Sequence, residues 1–546
     1  MSSAEIKQKI GTLVGGSLSS GLEIRLDPDY SVENLYVGDG ITIEGREKRY
    51  FGIISDMLLQ SSDSSLRSFP PNSSDLFVTS ILSGTSAFTI LKISLQLAVS
   101  LDTNFDEFDQ LGLDNSSFGP ATTVPPHFSP VYRATSKDYT EIFGSEDDHH
   151  GWIGTPKGRD EEVKINLDLE QLIKRSNGVF GKTGTGKTFL TRVLLSEIIK
   201  KNLGVNLIFD MHRDYSDSVN DESGKKIHSL KQLFPSKVEV MSLGKSFNKG
   251  QVRPDAEIMV SYSDLEVQDI EILSETLNLT SAGLLAAHAL DRSYGEKWLG
   301  IFLNMEPSED KENMNSLSAA AERTGQLYTV LHTLWRRLEI LKKFEFLQQN
   351  PAEESIKRIF TSLESGKHVI LDFGSHQSNE TAYILVTSLI TRRIYERWAE
   401  QDNQLIIAIE EAHKFLNSEV ASQTIFGTIA REMRKWKVTL LVVDQRPSGI
   451  DAEVLSQLGT KFIHQLEDNR DIDSILAGSS RELRSVVSTL APKQQALVIG
   501  HALPMPVVID VRSNDTLTNF INPEKTTNEI TNIERDNDDL FGEKNE

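Results

Sequence analysis

Eight consecutive residues, Gly181-Lys182-Thr183-Gly184-Thr185-Gly186-Lys187-Thr188, satisfy the spacing G-x-x-x-x-G-K-[ST]. No other stretch constrains the fold as strongly, because each position has a mechanical duty. Glycine at 181, 184 and 186 lets backbone N–H groups close around phosphate oxygens, and Lys182, Thr183 and Thr185 complete the loop. Lys187 reaches the β- and γ-phosphates, and the Thr188 hydroxyl ligates Mg²⁺. The flanks have the required form: Gly178-Val179-Phe180 reads as the end of a strand, and residues 189–199 carry helical periodicity. Such a strand–loop–helix unit opens an α/β domain that binds a nucleoside triphosphate, with ATP and Mg²⁺ as the expected pair.

A chain of 546 residues has room for several domains around this unit. Its apolar fraction of 38% and charged fraction of 25% are those of a globular protein, which excludes wholesale disorder. The absence of cysteine removes disulfides and thiolate metal sites, and agrees with a reducing cytosol. The first residues do not form a charged-then-apolar signal segment, and no apolar run approaches bilayer length. A soluble, cytoplasmic protein with no membrane attachment is therefore expected. The formal charge of -22 argues against nucleic acid bound over the outer surface, while leaving room for a local basic lining.

Residues 1–158 read as a small β domain with long polar loops. Short alternating runs at Ile10, Leu22, Ile41 and Tyr50, and a further one at 90–99, suggest a barrel. The Ser-rich stretch 61–74 and the Pro/Ser/Asp-rich stretch at about 102–130 read as surface loops, and 151–156 as the exit from the barrel. From 159 the rhythm becomes strand–helix alternation, in two parts, 159–261 and 349–516. Strands at 205–210, 369–373, 405–410, 438–444, 462–466 and 496–499 predict a largely parallel sheet. The interval 262–348 is helical throughout. There Leu327, Leu331, Leu334, Leu338 and Leu341 mark the apolar face of one helix in a bundle. The tail, 517–546, is acidic and polar, and is read as flexible.

Hydrolysis needs more than a phosphate loop. The apolar run Leu405-Ile406-Ile407-Ala408-Ile409 ends in Glu410-Glu411-Ala412-His413, adjacent carboxylates at a strand end. Glu410 is assigned to the Mg²⁺ shell and Glu411 to the attacking water. The next apolar run ends in Asp444-Gln445-Arg446-Pro447-Ser448, which places Gln445 to sense the γ-phosphate or orient water. Between the two lie Arg431 and Arg434, either of which can enter a neighbouring subunit's site in a ring ATPase. Asp210 and His212, after the 205–210 strand, can face the nucleotide edge. Lys225, Lys226, Arg336, Arg337, Lys342 and Lys343 are candidate contacts for a nucleic-acid backbone. The adjacent His149 and His150 read as solvent-exposed in an acidic loop.

In chain order the phosphate loop, the Asp-x-His-x-[acid]-Tyr segment from Asp210 to Tyr215, Glu-Glu-Ala-His, the Ala-Arg-Glu-x-Arg-Lys run from Ala430 to Lys435, and Gln-Arg-Pro-Ser resemble the HerA family of the FtsK–HerA motor superfamily. The β-rich N-terminus resembles that family's HAS-barrel, so the likeness covers about residues 6–512. It implies a RecA-like P-loop motor domain with a small N-terminal β-barrel and an inserted helical bundle. It further implies a homohexameric ATPase that translocates or unwinds double-stranded DNA. The implied partner is a NurA-like nuclease in end processing, or a sirtuin-like or nuclease effector in antiphage defence. Carried residue by residue, Lys187 and Thr188 are the nucleotide pair, Glu410 and Glu411 the second acidic motif, Gln445 the sensor, and Arg431 or Arg434 the arginine acting in trans. Met211 and Arg213 depart from the Pro and Gly often found there, and Asp444 stands where a small residue is usual. The acidity of the chain and its tail suits an alternative role, a platform that gates a partner effector without processive movement.

Overall fold

The computed structural model describes residues 7–72, 74, 76–101, 118–159, 163–220, 226–244, 253–349, 351, 355–398, 400–418, 425–432, 437–479 and 482–512. They form two compact units, one within 7–194 with Asp444–Ser448 and 455–512, the other within 195–443 with Gly449–Val454. Among the described residues no helix is long and apolar enough to cross a membrane.

In the first unit a closed barrel has the strand order Gly21–Leu26, Lys9–Ser17, Pro130–Arg133, Gly40–Glu44, Lys48–Ser61 and Ala87–Ser100, and the first pairs with the last. The closing register includes Leu22↔Ile93 and Ile24↔Leu91. Those four side chains are buried with Ile10, Leu13, Ile41, Ile43, Tyr50 and Val131. Alternation in sequence therefore becomes one apolar lining. The stretches read as loops contain structure: a short helix at Ser65–Ser68 and a strand, Gly119–Pro120, on the edge of Ala87–Ser100. The strand Pro130–Arg133, four residues beginning at a proline, is too short to show a period.

The remaining strands of this unit start from Asn177–Phe180, which pairs in parallel with Thr460–Ile463. An antiparallel run follows: Gln495–Gly500, Val507–Val511, His150–Pro156 and Ile165–Asp168. This corrects two expectations. The segment read as the barrel's exit is a sheet strand, and Gln495–Gly500, expected within a largely parallel sheet, pairs antiparallel on both sides. Val507–Val511 and His150–Pro156 meet through residues over 340 positions apart in sequence, such as Ile509↔Pro156, which no local pattern announces.

The second unit holds the parallel half, in the order Ala256–Ile258, Val238–Leu243, His368–Asp372, Val205–Asp210, Leu405–Glu410 and Val438–Asp444. Every residue of the last three strands is buried. That is the signature of a parallel sheet covered on both faces. The helical interval contains Val267–Glu271, Ser281–Tyr294, Trp298–Leu303, Leu317–Thr324 and Tyr328–Leu338. Leu331, Leu334, Leu338 and Leu341 are buried as the periodicity requires, but Leu327 is 71% exposed. It lies at the N-cap, before the helical turn that would carry it to the buried face.

Arg392, on the helix Glu380–Trp398, anchors this interval. Its guanidinium donates to both carboxylate oxygens of Asp269, at 3.2 and 2.7 Å, to Glu266 at 2.6 Å and to the Asp264 carbonyl at 3.2 Å. Removing the cation leaves Asp269 buried and unpaired, which costs about 3–5 kcal/mol. Arg392→Ala is expected to lower the unfolding free energy by that much, whereas Arg393→Ala, whose partner is half-exposed, is expected to change it little. Equilibrium unfolding of the two variants checks this.

Candidate nucleotide and carboxylate sites

The phosphate loop leaves the strand Asn177–Phe180 and enters the helix Lys187–Lys201. Gly181 donates its N–H to the Asp444 carbonyl at 3.3 Å, and Lys182 donates to the Gln465 carbonyl at 3.1 Å. The loop is thus held at the ends of two strands. Gly186 has φ +103, a conformation open to glycine and costly for other residues. Lys187 Nζ donates to the carbonyls of Gly181 at 2.7 Å and Lys182 at 3.0 Å, so the ammonium spans the mouth of the loop. Thr183 Oγ1 donates to Gln445 Oε1 at 2.8 Å, which brings the candidate sensor to the loop. The Lys182 ammonium pairs with Glu467 at 2.8 Å.

His464, which sequence reading missed, is the floor of the loop. It is fully buried, and its Nδ1–H donates to the Gln495 carbonyl at 2.8 Å. Burial, with the Lys187 charge nearby, pushes its pKa down to about 4, so the ring is neutral. A Cβ on Gly181 would lie 2.5 Å from His464 Cβ. Gly181→Ala must displace either the histidine or the loop, at roughly 1–3 kcal/mol. We expect about tenfold or more weaker nucleotide binding, measured by titration with a fluorescent nucleotide.

The departure at Asp444 has a structural account. Its carboxylate is buried and accepts the N–H of Arg446 at 2.7 Å, closing the turn that presents Gln445. The arginine candidates are not placed: Arg434 lies outside the described residues, as does the side chain of Arg431, whose backbone lies in the last turn of the helix Ile425–Glu432. Lys225 and the side chain of Lys226 also lie outside them. Arg336, Arg337, Lys342 and Lys343 are exposed, with Lys342 set 5.0 Å over the Trp335 ring. His149 pairs with Glu170 and His150 with Asp147, each at 2.9 Å.

In the second unit, Glu410 and Glu411 end the strand Leu405–Glu410 in different environments. Glu410 is 9% exposed and accepts the Tyr215 hydroxyl at 2.9 Å. Burial first, then the carboxylates of Asp214 and Asp210, raise its pKa to about 8. Glu411 has a 30% exposed side chain, with His413 Nδ1 3.8 Å away, and its φ is +49. A left-handed conformation in a residue with a side chain is costly and concentrates at functional sites.

Asp210 does not present its carboxylate as expected. It is fully buried and accepts the N–H groups of Asp214 at 2.8 Å, Tyr215 at 3.1 Å and Ser216 at 2.8 Å. It braces the turn rather than facing a ligand, and burial raises its pKa to about 6. His212 is exposed. Arg213 has φ +63, the conformation a glycine takes freely, and its Nε donates to Asp372 Oδ1 at 3.0 Å. A buried ion pair thus holds the turn geometry where the usual glycine is missing.

A Glu whose folded pKa is raised binds a proton more tightly folded than unfolded. It destabilises the fold progressively as pH rises from the unfolded value near 4.5 towards about 8. Without nucleotide or Mg²⁺, Glu410→Gln should therefore raise the thermal midpoint relative to the parent chain at pH 8.5 and leave it nearly unchanged at pH 4.5. Paired melts at the two pH values check the sign.

A strand–phosphate loop–helix unit, joined in one chain to a parallel sheet whose strand ends in paired carboxylates, defines a RecA-like P-loop ATPase, here with an N-terminal closed barrel. Residues 151–394 match the family described as "Helicase HerA, central domain". The chain is 23% identical over 416 residues to "DNA double-strand break repair helicase HerA" of Pyrococcus furiosus, covering 70% of this chain and 72% of that one. It is 22% identical over 515 residues to the protein of the same name from Sulfurisphaera tokodaii, covering 92% of each. Among solved structures, VirB4 of Thermoanaerobacter pseudethanolicus aligns with a TM-score of 0.46 at 15% identity, over 68% of this chain and 98% of that one. The chain is similar to the HerA family over residues 151–394, the family that its motif order resembles.

Proposed function

We propose that this protein is an ATP-driven motor that translocates or unwinds double-stranded DNA as a homohexameric ring. The observation that carries the reading is a complete phosphate loop within the stretch that matches the HerA central domain, followed in the same chain by paired strand-end carboxylates. Relatives aligned over 70% and 92% of this chain carry the name DNA double-strand break repair helicase, which supports the reading.

In this reading residues 181–188 hold the triphosphate, with Lys187 on the β- and γ-phosphates. Mg²⁺ arriving with a triphosphate retains waters and takes one or two hard protein oxygens. The Thr188 hydroxyl and the Glu410 carboxylate are donors of that type, and the ion would neutralise charge on the phosphates. Glu411 accepts a proton from the attacking water, Gln445 reports the γ-phosphate through Thr183, and Arg431 or Arg434 of a neighbour stabilises the transition state. The partner is a NurA-like nuclease in end processing, or a sirtuin-like or nuclease effector in antiphage defence. The proposed division of labour follows the segments 1–158, 159–261 with 349–516, 262–348 and 517–546.

The formal charge of -22 favours a second reading, a platform in which ATP turnover switches a bound effector without processive movement. Steady-state ATPase rates with and without long linear duplex DNA separate the two. Strong stimulation by duplex, falling steeply with salt as phosphate contacts require, supports the motor. DNA-independent turnover, with no displacement of a roadblock from the duplex, rejects it in favour of the platform.

A further inference from the structure

We propose that Tyr215 is a positioning residue for Glu410, holding its carboxylate in one orientation while Tyr383 fixes the backbone of the same residue. The inference rests on the reading of Glu410 as the carboxylate that serves the nucleotide's Mg²⁺.

The turn after Val205–Asp210 delivers Tyr215. Three successive N–H groups, of Asp214, Tyr215 and Ser216, converge on the Asp210 carboxylate. The Tyr215 carbonyl in turn accepts the N–H of Leu230 at 3.1 Å. Backbone contacts on both sides of its Cα thus hold Tyr215, and its ring is 1% exposed. The hydroxyl donates to Glu410 Oε1 at 2.9 Å. A phenol cannot reach this carboxylate from an alternative rotamer without leaving a packed core, so the bond specifies direction as well as contact.

Tyr383 acts on the other part of the same residue. Pairing between Val205–Asp210 and Leu405–Glu410 runs from Val205↔Leu405 to Ile208↔Ala408 and stops two residues short of Glu410. Past that point the Tyr383 hydroxyl does the work of a strand neighbour: it accepts the Glu410 N–H at 3.2 Å and donates to the Glu410 carbonyl at 2.9 Å. The ring is locked edge-on between Phe373, 5.1 Å away, and Phe415, 5.5 Å away. Two buried tyrosines from different elements therefore fix the backbone and the carboxylate of one glutamate. The next residue, Glu411, takes the left-handed φ of +49.

The test compares affinity for a non-hydrolysable ATP analogue in EDTA and in Mg²⁺, together with kcat. Tyr215→Phe keeps the ring and removes one hydroxyl. It is expected to leave affinity in EDTA unchanged, to cut the Mg²⁺-dependent gain and kcat by about 10–100-fold, as loss of groups that orient metal ligands does, and to lose this effect in a Glu410→Gln background. Tyr383→Phe is the second variant and should reduce the Mg²⁺-dependent gain without altering affinity in EDTA. If both Phe variants keep the gain and kcat within about twofold of the parent while Glu410→Gln loses the gain, the positioning role is wrong and the reading of Glu410 stands. If Glu410→Gln itself keeps the gain, that reading fails and takes the positioning role with it. Equal losses from Tyr215→Phe in the parent and Glu410→Gln backgrounds also overturn the proposal, because a merely structural defect would behave in that way.

Discussion

Glu411→Gln is expected to lower ATP turnover by about 10²–10⁴-fold, the usual contribution of a general base, while nucleotide affinity stays close to that of the parent chain. The side chain keeps its length and its hydrogen-bonding reach but loses the ability to take a proton from water. The structure favours Glu411 over its neighbour for this task. Glu410 is buried, carries the Tyr215 hydroxyl on one oxygen and holds a proton up to a pKa of about 8. Glu411 retains 30% exposure, and its φ of +49 turns the chain sharply where the strand ends. Phosphate release in steady state, paired with equilibrium binding of a fluorescent nucleotide, measures both quantities. Turnover above about a tenth of the parent rate would remove Glu411 from the catalytic role.

Lys187→Ala should have the second large effect, on binding itself. Lys187 Nζ bridges the carbonyls of Gly181 and Lys182 at 2.7 and 3.0 Å, so the ammonium is already aimed across the loop before any phosphate arrives. A hydrogen bond to a charged group contributes about 1.5–3 kcal/mol, which is roughly 10–100-fold in affinity. Turnover should fall further, because the same charge would offset what develops on the γ-phosphate. The residue is only half-buried, so the unfolding midpoint should hardly move. Calorimetric titration with ATP beside a thermal melt separates lost binding from lost fold. Unchanged affinity would mean that the loop holds its ligand by backbone N–H groups alone.

Motifs whose residues are contiguous were legible because their chemistry is local. The phosphate loop, the strand ending in two carboxylates and the strand ending at Asp444 needed only spacing and apolar runs. The HerA resemblance rested on the order of such segments, and the family match bears it out. Partners brought from elsewhere in the chain were not legible. His464 looks like any histidine after an apolar strand, and only its approach to Gly181 makes it the floor of the loop. Tyr215 was visible as the last residue of a motif, but its bond to Glu410, 195 positions later, was not. Asp210 misled because a carboxylate at a strand end serves a ligand and an N–H-lined turn equally well. The strands Val507–Val511 and His150–Pro156 were missed because each pairs with the other across most of the chain's length.

What the sequence by itself determined is the chemistry on offer: a triphosphate cradle, two adjacent carboxylates, an apolar barrel alternation and a helical interval. Each is written in neighbouring residues, whose geometry follows from backbone permissiveness and side-chain period. Only the tertiary structure decided which carboxylate is dry and which meets water, because desolvation and hydrogen-bond partners belong to the packing around a residue. Sequence assigns Glu410 and Glu411 separate roles without showing the burial of either, and the two tyrosines that hold Glu410 come from the turn after one strand and from one helix.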